Sequence, residues 1–511
     1  MAIPTGTTAR QLNAIARWVL AAAVVLGVMT WWWPSYRSWA ALAASLMAVW
    51  ALWLVCRMVQ GRSSVPGHPV YLALLGPAAV LAWHMARTGL GTEAPRPGSL
   101  AGAMNISMIF QLSLLALGIM LSQSLLPRAS EHPWLLSVCG AAMMGGSAAA
   151  VRWGQADHVN SSIVLLGYSG VAVWLSALWH PHDPSAPVNL KHNRPLRLIC
   201  IGLAGIAAVL LAIAGRKEAV AAAGAAGLAL VLGGGVLGRR RKSMLLVGAA
   251  LVTGAAALMV IHPGRGSWEV IVAGGAIGRG EEAFADVWAG DNGLAVLGAT
   301  IGWAGLGWLA IGVIACVIWL MTHARQGAGE DRARAVVWTA ATALSTGALI
   351  ARGGLFIPSV TLAAAFTWGL LPAMLGREER RRSGGIVVGC MVVLMLLMEL
   401  AKDDGLLMWA TAVMGGNDKT LHVISGFFGA MVLAWWMGTR SIYRGLWGIV
   451  LAIAAGAAGE FLQAGASVRN ADVNDWIAGT AGSLAAVVPY LLCMGSRWCE
   501  SRDAVVIKES H

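Results

Sequence analysis

The stretch WAALAASLMAVWALWLVC, residues 39–56, carries one hydroxyl group and no charge over eighteen positions. Wound as an α-helix it is about 27 Å long, close to the roughly 30 Å of a bilayer's hydrocarbon core. A similar run, WVLAAAVVLGVMTWWW (18–33), precedes it, and such runs recur to the end of the chain. Across 511 residues the composition is 58% hydrophobic and 12% charged, with a mean hydropathy of +0.69. A water-soluble domain of this length does not carry so much apolar surface, so the chain reads as an all-α, polytopic integral membrane protein. The first run lacks a small-residue cleavage site and is followed at once by another, which makes it a retained helix rather than a signal peptide.

Apolar runs divided by turn or charge signals predict about sixteen membrane helices. They lie near 16–33, 39–56, 69–86, 106–126, 134–151, 163–179, 198–215, 219–238, 243–262, 293–322, 335–350, 355–375, 384–400, 420–437, 443–462 and 476–495. The basic groups RRRK (239–242), Arg325, Arg332, Arg334, REERRR (377–382), Arg440, Arg444, Arg497, Arg502 and Lys508 fall on alternate loops. Cytoplasmic loops collect Lys and Arg, so these loops and both termini are expected in the cytoplasm. The same alternation sends 263–292, 400–418 and 463–475 to the outer face. The basic seam GREERRRSGG (376–385) divides a first membrane domain, 1–376, from a second, 384–495, with 377–383 as a cytoplasmic linker and 496–511 as a cytoplasmic tail.

A formal charge of +12 raises the question of nucleic acid, but the Lys and Arg are dispersed over short loops, where orientation and anionic lipid explain them. Nucleic acid is therefore not an expected partner. The seven cysteines are scattered, mostly within apolar runs, with no metal-ligand spacing. Neither a metal nor a cofactor is expected. Many of the twenty-five Trp lie near predicted span ends, as interfacial anchors.

Polarity concentrates in GEFLQAGASVRNADVNDW (459–476) and in DKTLH (418–422). Glu460 and Gln463 share one face of the last turn of helix 443–462, and Asp418 and His422 share a face at the start of helix 420–437. Arg469, Asp472 and Asp475 follow in the outer loop and the first turn of the final helix. All of these groups are expected at one depth near the outer surface, where charge is costly and is usually paired or functional. Arg469 has the geometry to hold a diphosphate or carboxylate, and His422 beside a carboxylate suits proton transfer. Capping readings stand beside these: Asp418 as an N-cap, Asp472 with Asp475 as a capping pair, and Glu460 with Arg469 as a structural ion pair.

That constellation resembles the VanZ-like family of small membrane domains, whose pattern runs D-K-x-x-H, then E-x-x-Q, then R-x-x-D-x-x-D-x-x-x-N-x-x-G. Asp418, Lys419 and His422 match the first part, Glu460 and Gln463 the second, and Arg469, Asp472, Asp475 and Gly482 the third. Gly479 stands where the pattern has Asn. The resemblance covers about 384–495 and implies a bacterial envelope membrane and a link to glycopeptide tolerance.

In the first domain, SWEVIVAGGAIGRGEEAFADVWAGDNGLAVLGATIGWAGLGWL (267–309) joins an acidic, glycine-rich outer loop to a helix with Gly298, Gly302 and Gly305 along one face, suited to close helix packing. Asp291 at the helix mouth suits a general base, with Arg265 or Arg279 on a pyrophosphate; an N-cap role for Asp291 is the alternative. The segment is similar to the SEDS peptidoglycan polymerases through Trp268, Val270, Ile271, Ala276, Ile277, Gly278 and Gly280, then Asp291, Ala295, Val296, Gly302 and Gly305. O-antigen ligases and polymerases share the second spacing. Either resemblance implies joining of sugars from undecaprenyl-diphosphate carriers on the outer face of the bacterial inner membrane.

Together these features predict an envelope protein acting on a lipid-linked glycan or cell-wall precursor, with Asp291 as base, Arg265 and Arg279 as phosphate clamp, and Asp418, Lys419, His422, Glu460, Gln463, Arg469, Asp472 and Asp475 binding the substrate. The partners are that precursor, membrane lipid and other envelope proteins. A non-catalytic protein that binds or shields a precursor or antibiotic is the second reading, and a transporter is a weaker third.

Overall fold

The structure, a computed structural model, describes residues 36–59, 65–66, 69–88, 108–125, 133–153, 160–178, 275–279, 293–326, 332–351, 354–374, 381–382, 418–438, 441–464 and 472–492, with residues 15, 18, 22, 389, 392 and 393 singly. Apart from two extended pieces of two residues each, the regular structure among these residues is helical. In chain order the helices are α1 (Tyr36–Val59), α2 (Pro69–Thr88), α3 (Met108–Leu125), α4 (Pro133–Trp153), α5 (Asn160–Leu178), α6 (Gly293–Gln326), α7 (Arg332–Ile350), α8 (Pro358–Met374), α9 (Asp418–Gly438), α10 (Ile442–Ala464) and α11 (Val473–Ala485). Each occupies a predicted span. The spans expected near 198–215, 219–238 and 243–262 lie outside the described residues, as do nearly all of 16–33 and 384–400.

Among the described residues four stretches are long and apolar enough to cross a membrane: Ala295–Cys316, Lys419–Met437, Ile442–Glu460 and Val473–Leu492. The chain separates into two compact units, one made of Met1–Cys56, Pro66–Ala82 and Glu93–Arg381, the other of Arg57–Val65, Trp83–Thr92 and Arg382–His511.

In the first unit α4, α5, α7 and α8 enclose a core that includes Met143, Leu166, Leu344 and Val360, and α3 joins α8 in a second cluster with Leu115, Ile119, Ala364 and Ala365. The buried polar side chains among the described residues are Ser, Thr and Gln, with no charge. They bond across helices. Ser345 Oγ and Thr367 Oγ1 lie 2.6 Å apart, Trp338 Nε1 donates to the Thr367 carbonyl at 2.9 Å, and Thr361 Oγ1 donates to Gln111 Oε1 at 2.7 Å. Small hydroxyls of this kind hold helices together where apolar attraction between helices is weak, each bond contributing about 0.6 kcal/mol.

Helix α6 is broken at Gly302, which has φ 64° and ψ −170°. The interruption frees backbone groups that no hydrocarbon can satisfy, and the segment 275–279 answers them. Ala299 O accepts from Arg279 N at 2.8 Å, while Trp303 N and Ala304 N donate to Gly275 O (3.1 Å) and Ala276 O (2.8 Å). Gly278, at φ 72°, lies so close that a Cβ on it would strike Thr300 O, and a Cβ on Gly302 would strike Gly278 N. The sequence places Gly302 on a uniform helix face for helix packing; in the structure it is instead the break itself, docked against part of the loop expected to lie outside.

In the second unit α9, α10 and α11 run up, down and up. Ala430 and Ala434 on α9, Ile449 on α10, and Ala486 and Tyr490 just past the C-terminal end of α11 form its interior. The outward faces carry Phe428, Tyr443, Trp447, Val450, Val488 and Leu492, each about half exposed or more. Large apolar side chains on the outside, with alanines among the residues at the helix contacts, is the arrangement that hydrocarbon rewards and water penalises.

Candidate functional site

Close backbone approach fixes the register of α9 against α11. A Cβ on Gly426 would strike Gly479 O, and one on Gly482 would strike Val423 O. Ser483 Oγ bridges the same contact, lying 3.1 Å from Gly426 O and 2.9 Å from Gly479 O. One turn back from the Gly426–Gly479 contact, His422 stands opposite Asp475, and one turn further Lys419 stands opposite Asp472. Trp476 Nε1 donates to Ile453 O at 3.3 Å, tying α10 to the start of α11 and bringing the last turn of α10, with Glu460, to the same end.

The side chains converge there. Lys419 Nζ lies 3.0 Å from Asp472 Oδ2 and 2.9 Å from Asp475 Oδ1, so one ammonium bridges two carboxylates. His422 Nε2 is 3.5 Å from Asp475 Oδ2. Asp475 is thus divided, one oxygen on the lysine and the other facing the imidazole, and its side chain is only 16% exposed. Glu460 completes the group. Its Oε2 is buried and makes no hydrogen bond, and one ligand atom from each of His422, Glu460 and Asp475 lies within 4.8 Å of the others.

Asp472 is the N-cap of α11: its Oδ1 accepts from Asn474 N and Asn474 Nδ2, both at 2.8 Å. The Asn474 backbone N–H, followed by the Lys419 ammonium, holds the Asp472 carboxyl below the usual carboxylate range. The capping pair expected from sequence is therefore half present. Asp472 caps, whereas both Asp475 oxygens turn toward α9.

Of the residues singled out in the sequence, the structure gathers Lys419, His422, Glu460, Asp472 and Asp475. Asp418 is the first residue of α9 and Gln463 lies in the last turn of α10, but their side chains fall outside the described part. Asp291, Arg265 and Arg469 also lie outside the described residues. Arg279 is exposed, on the segment docked at the α6 break. Asn474 and Ser483 carried no signal in the sequence beyond their residue type; their roles as cap partner and helix bridge emerge only from the fold. The grouping of His422, Glu460 and Asp475 as three potential cation ligands was likewise invisible, because its members come from three helices.

Comparison with models of protein families, with curated proteins and with solved structures finds no match for this chain.

Proposed function

We propose that the chain is a multi-pass protein of the bacterial inner membrane, with about sixteen spans, whose C-terminal helices form a VanZ-like domain that engages a lipid-linked envelope precursor at the outer membrane edge. One observation carries the reading: Lys419, His422, Glu460, Asp472 and Asp475, each matched to that family's spaced pattern, meet at a single end of α9, α10 and α11. A precursor headgroup offers sugar hydroxyls and amides, which carboxylates bind as acceptors. It also carries phosphate, for which Arg469, three residues before Asp472 in the sequence, supplies positive charge. Acyl tails would lie along the apolar outer faces of the same helices. The polymerase or ligase activity assigned to the first domain, with Asp291 as base, rests on sequence resemblance.

Purified full-length protein in detergent, titrated with an undecaprenyl-diphosphate-linked glycan, tests the binding step. Saturable binding that weakens tenfold or more in Asp475→Asn supports it, and equal binding by both proteins contradicts it. Turnover distinguishes the enzyme from the shield. If the chain is an enzyme, wild type forms product and Asp291→Asn does not.

A specific feature favours binding without turnover in the C-terminal domain. Gly479 stands where the family pattern has Asn, yet a Cβ at that position would meet nothing closer than His422 O at 3.6 Å. Packing leaves room for a side chain, so the missing amide is a chemical difference and not a steric requirement.

A further inference from the structure

The cluster at the head of α9 has an electrostatic deficit. Among its described side chains one ammonium, Lys419, stands against three carboxylates, Asp472, Asp475 and Glu460. With all three counted as ionised and His422 as neutral, two negative charges remain at the mouth of an apolar helix bundle, where uncompensated charge is unfavourable. Glu460 Oε2 is the sharpest expression of this: a buried oxygen without a hydrogen-bond donor. A headgroup phosphate would deepen the deficit.

The geometry points to a divalent cation site formed by His422, Glu460 and Asp475. The three come from three different helices, α9, α10 and α11, and each presents a ligand atom to a common point, the atoms lying within 4.8 Å of one another. Ligands about 2.1 Å from a tetrahedral ion are ~3.4 Å apart. His422 Nε2 and Asp475 Oδ2, at 3.5 Å, already have that spacing. The Glu460 ligand atom lies no more than 4.8 Å from the other two, and the broad terminal torsion of a glutamate carboxylate gives it freedom to close that gap.

The surrounding groups suit such a site. Lys419 occupies the other oxygen of Asp475 and one oxygen of Asp472, orienting the ligand carboxylate as a supporting partner does in metal centres. One imidazole with two carboxylates is a nitrogen and oxygen set of intermediate hardness, which selects Zn²⁺ or Mn²⁺ over Mg²⁺ and Ca²⁺, ions that prefer oxygen alone. With three protein ligands the remaining positions stay open, and a phosphate oxygen or a water can take them. The ion cancels the two-charge deficit and turns an acidic cluster into a receptor for an anionic headgroup. The inference rests on the same site as the proposed function, but not on the identity of the lipid.

The test is equilibrium dialysis of the metal-stripped, full-length protein in detergent with Zn²⁺ and separately with Mn²⁺, in the absence of any precursor. The expected result is one saturable equivalent, weakened at least tenfold in Glu460→Gln and in His422→Ala, with Mg²⁺ failing to compete at equal concentration. Electron spin-echo spectroscopy of Mn²⁺ bound to the wild type is expected to show one imidazole nitrogen, a readout that needs no variant to fold. Absence of saturable binding, the result if Arg469 or protons supply the missing charge, overturns the site. So does binding that both variants retain, or a bound Mn²⁺ with no nitrogen coupling. Failure of the metal-loaded protein to bind the glycan lipid would instead overturn the headgroup reading and leave the cation site standing.

Discussion

Gly302 and Lys419 show how single residues hold this chain together by opposite means. At Gly302 the absence of a side chain matters twice, through a φ of 64° that L-residues rarely adopt and through direct contact with Gly278. Gly302→Ala is expected to destabilise the protein by about 2–4 kcal/mol, combining left-handed backbone strain with overpacking. Unfolding of the detergent-solubilised protein would read this, and Gly278→Ala should lose a similar amount. Lys419 works through charge. Removing it as Lys419→Met leaves Asp472 and Asp475 facing each other without their shared ammonium, so the midpoint of thermal unfolding should fall, while Asp475→Asn in the same background should restore part of the loss. Asp472 adds a pH dependence. Its folded-state pKa is depressed, so its stabilisation is fully present above the unfolded value of about 3.9. That contribution is lost as pH falls through the lower folded value. Unfolding midpoints measured downward from pH ~5 should therefore decline less steeply in Asp472→Asn than in wild type.

Among the elements, the α9–α11 contact sets the positions of Lys419, His422, Asp472 and Asp475, while α10 brings Glu460 to them. Gly426 and Gly482 let the two backbones touch, and the paired turns above them carry Lys419 and His422 to Asp472 and Asp475. Gly482→Val must push the helices apart, at a cost on the order of 3 kcal/mol, and should weaken ligand binding although position 482 touches no ligand. Gly429→Ala is the contrasting case. It lies in the same helix α9 but meets nothing within 4 Å, and it should be neutral or stabilising by about 0.5–1 kcal/mol through helix propensity alone. Chemical unfolding of both variants separates close contact from mere glycine content. At this scale the sequence was highly legible, because helices such as Tyr36–Val59 and Asp418–Gly438 follow from uninterrupted apolar length and from the polar residues that open them. The break in α6 was not. Gly302 sits in a run as apolar as its neighbours, and only the long-range hydrogen bonds to the Gly275 and Ala276 carbonyls and from Arg279 N distinguish a docking point from a packing face.

For the whole molecule, the legible part of the site was its inventory and the hidden part its arrangement. Spacing placed His422, Glu460 and Asp475 near helix ends on one side, which follows from alternating helix direction. That they share one point within 4.8 Å depends on helix crossings that no spacing encodes. The sequence also offered Asp472 and Asp475 as a capping pair, whereas in the structure the Lys419 ammonium is what joins the two. The apolar outer faces of α9, α10 and α11, and the uncharged buried side chains among the described residues of the first unit, both match a chain surrounded by lipid.

The central claim is that polar segments from distant parts of the chain share the outer face of the membrane. Single cysteines introduced as Asp291→Cys and Arg469→Cys, in a background with the seven native cysteines replaced by Ser, can be labelled in intact spheroplasts with a membrane-impermeant maleimide. The account predicts that both react from outside, while Arg380→Cys reacts only after permeabilisation. Positions 291 and 469 labelled from opposite sides of the membrane would contradict it.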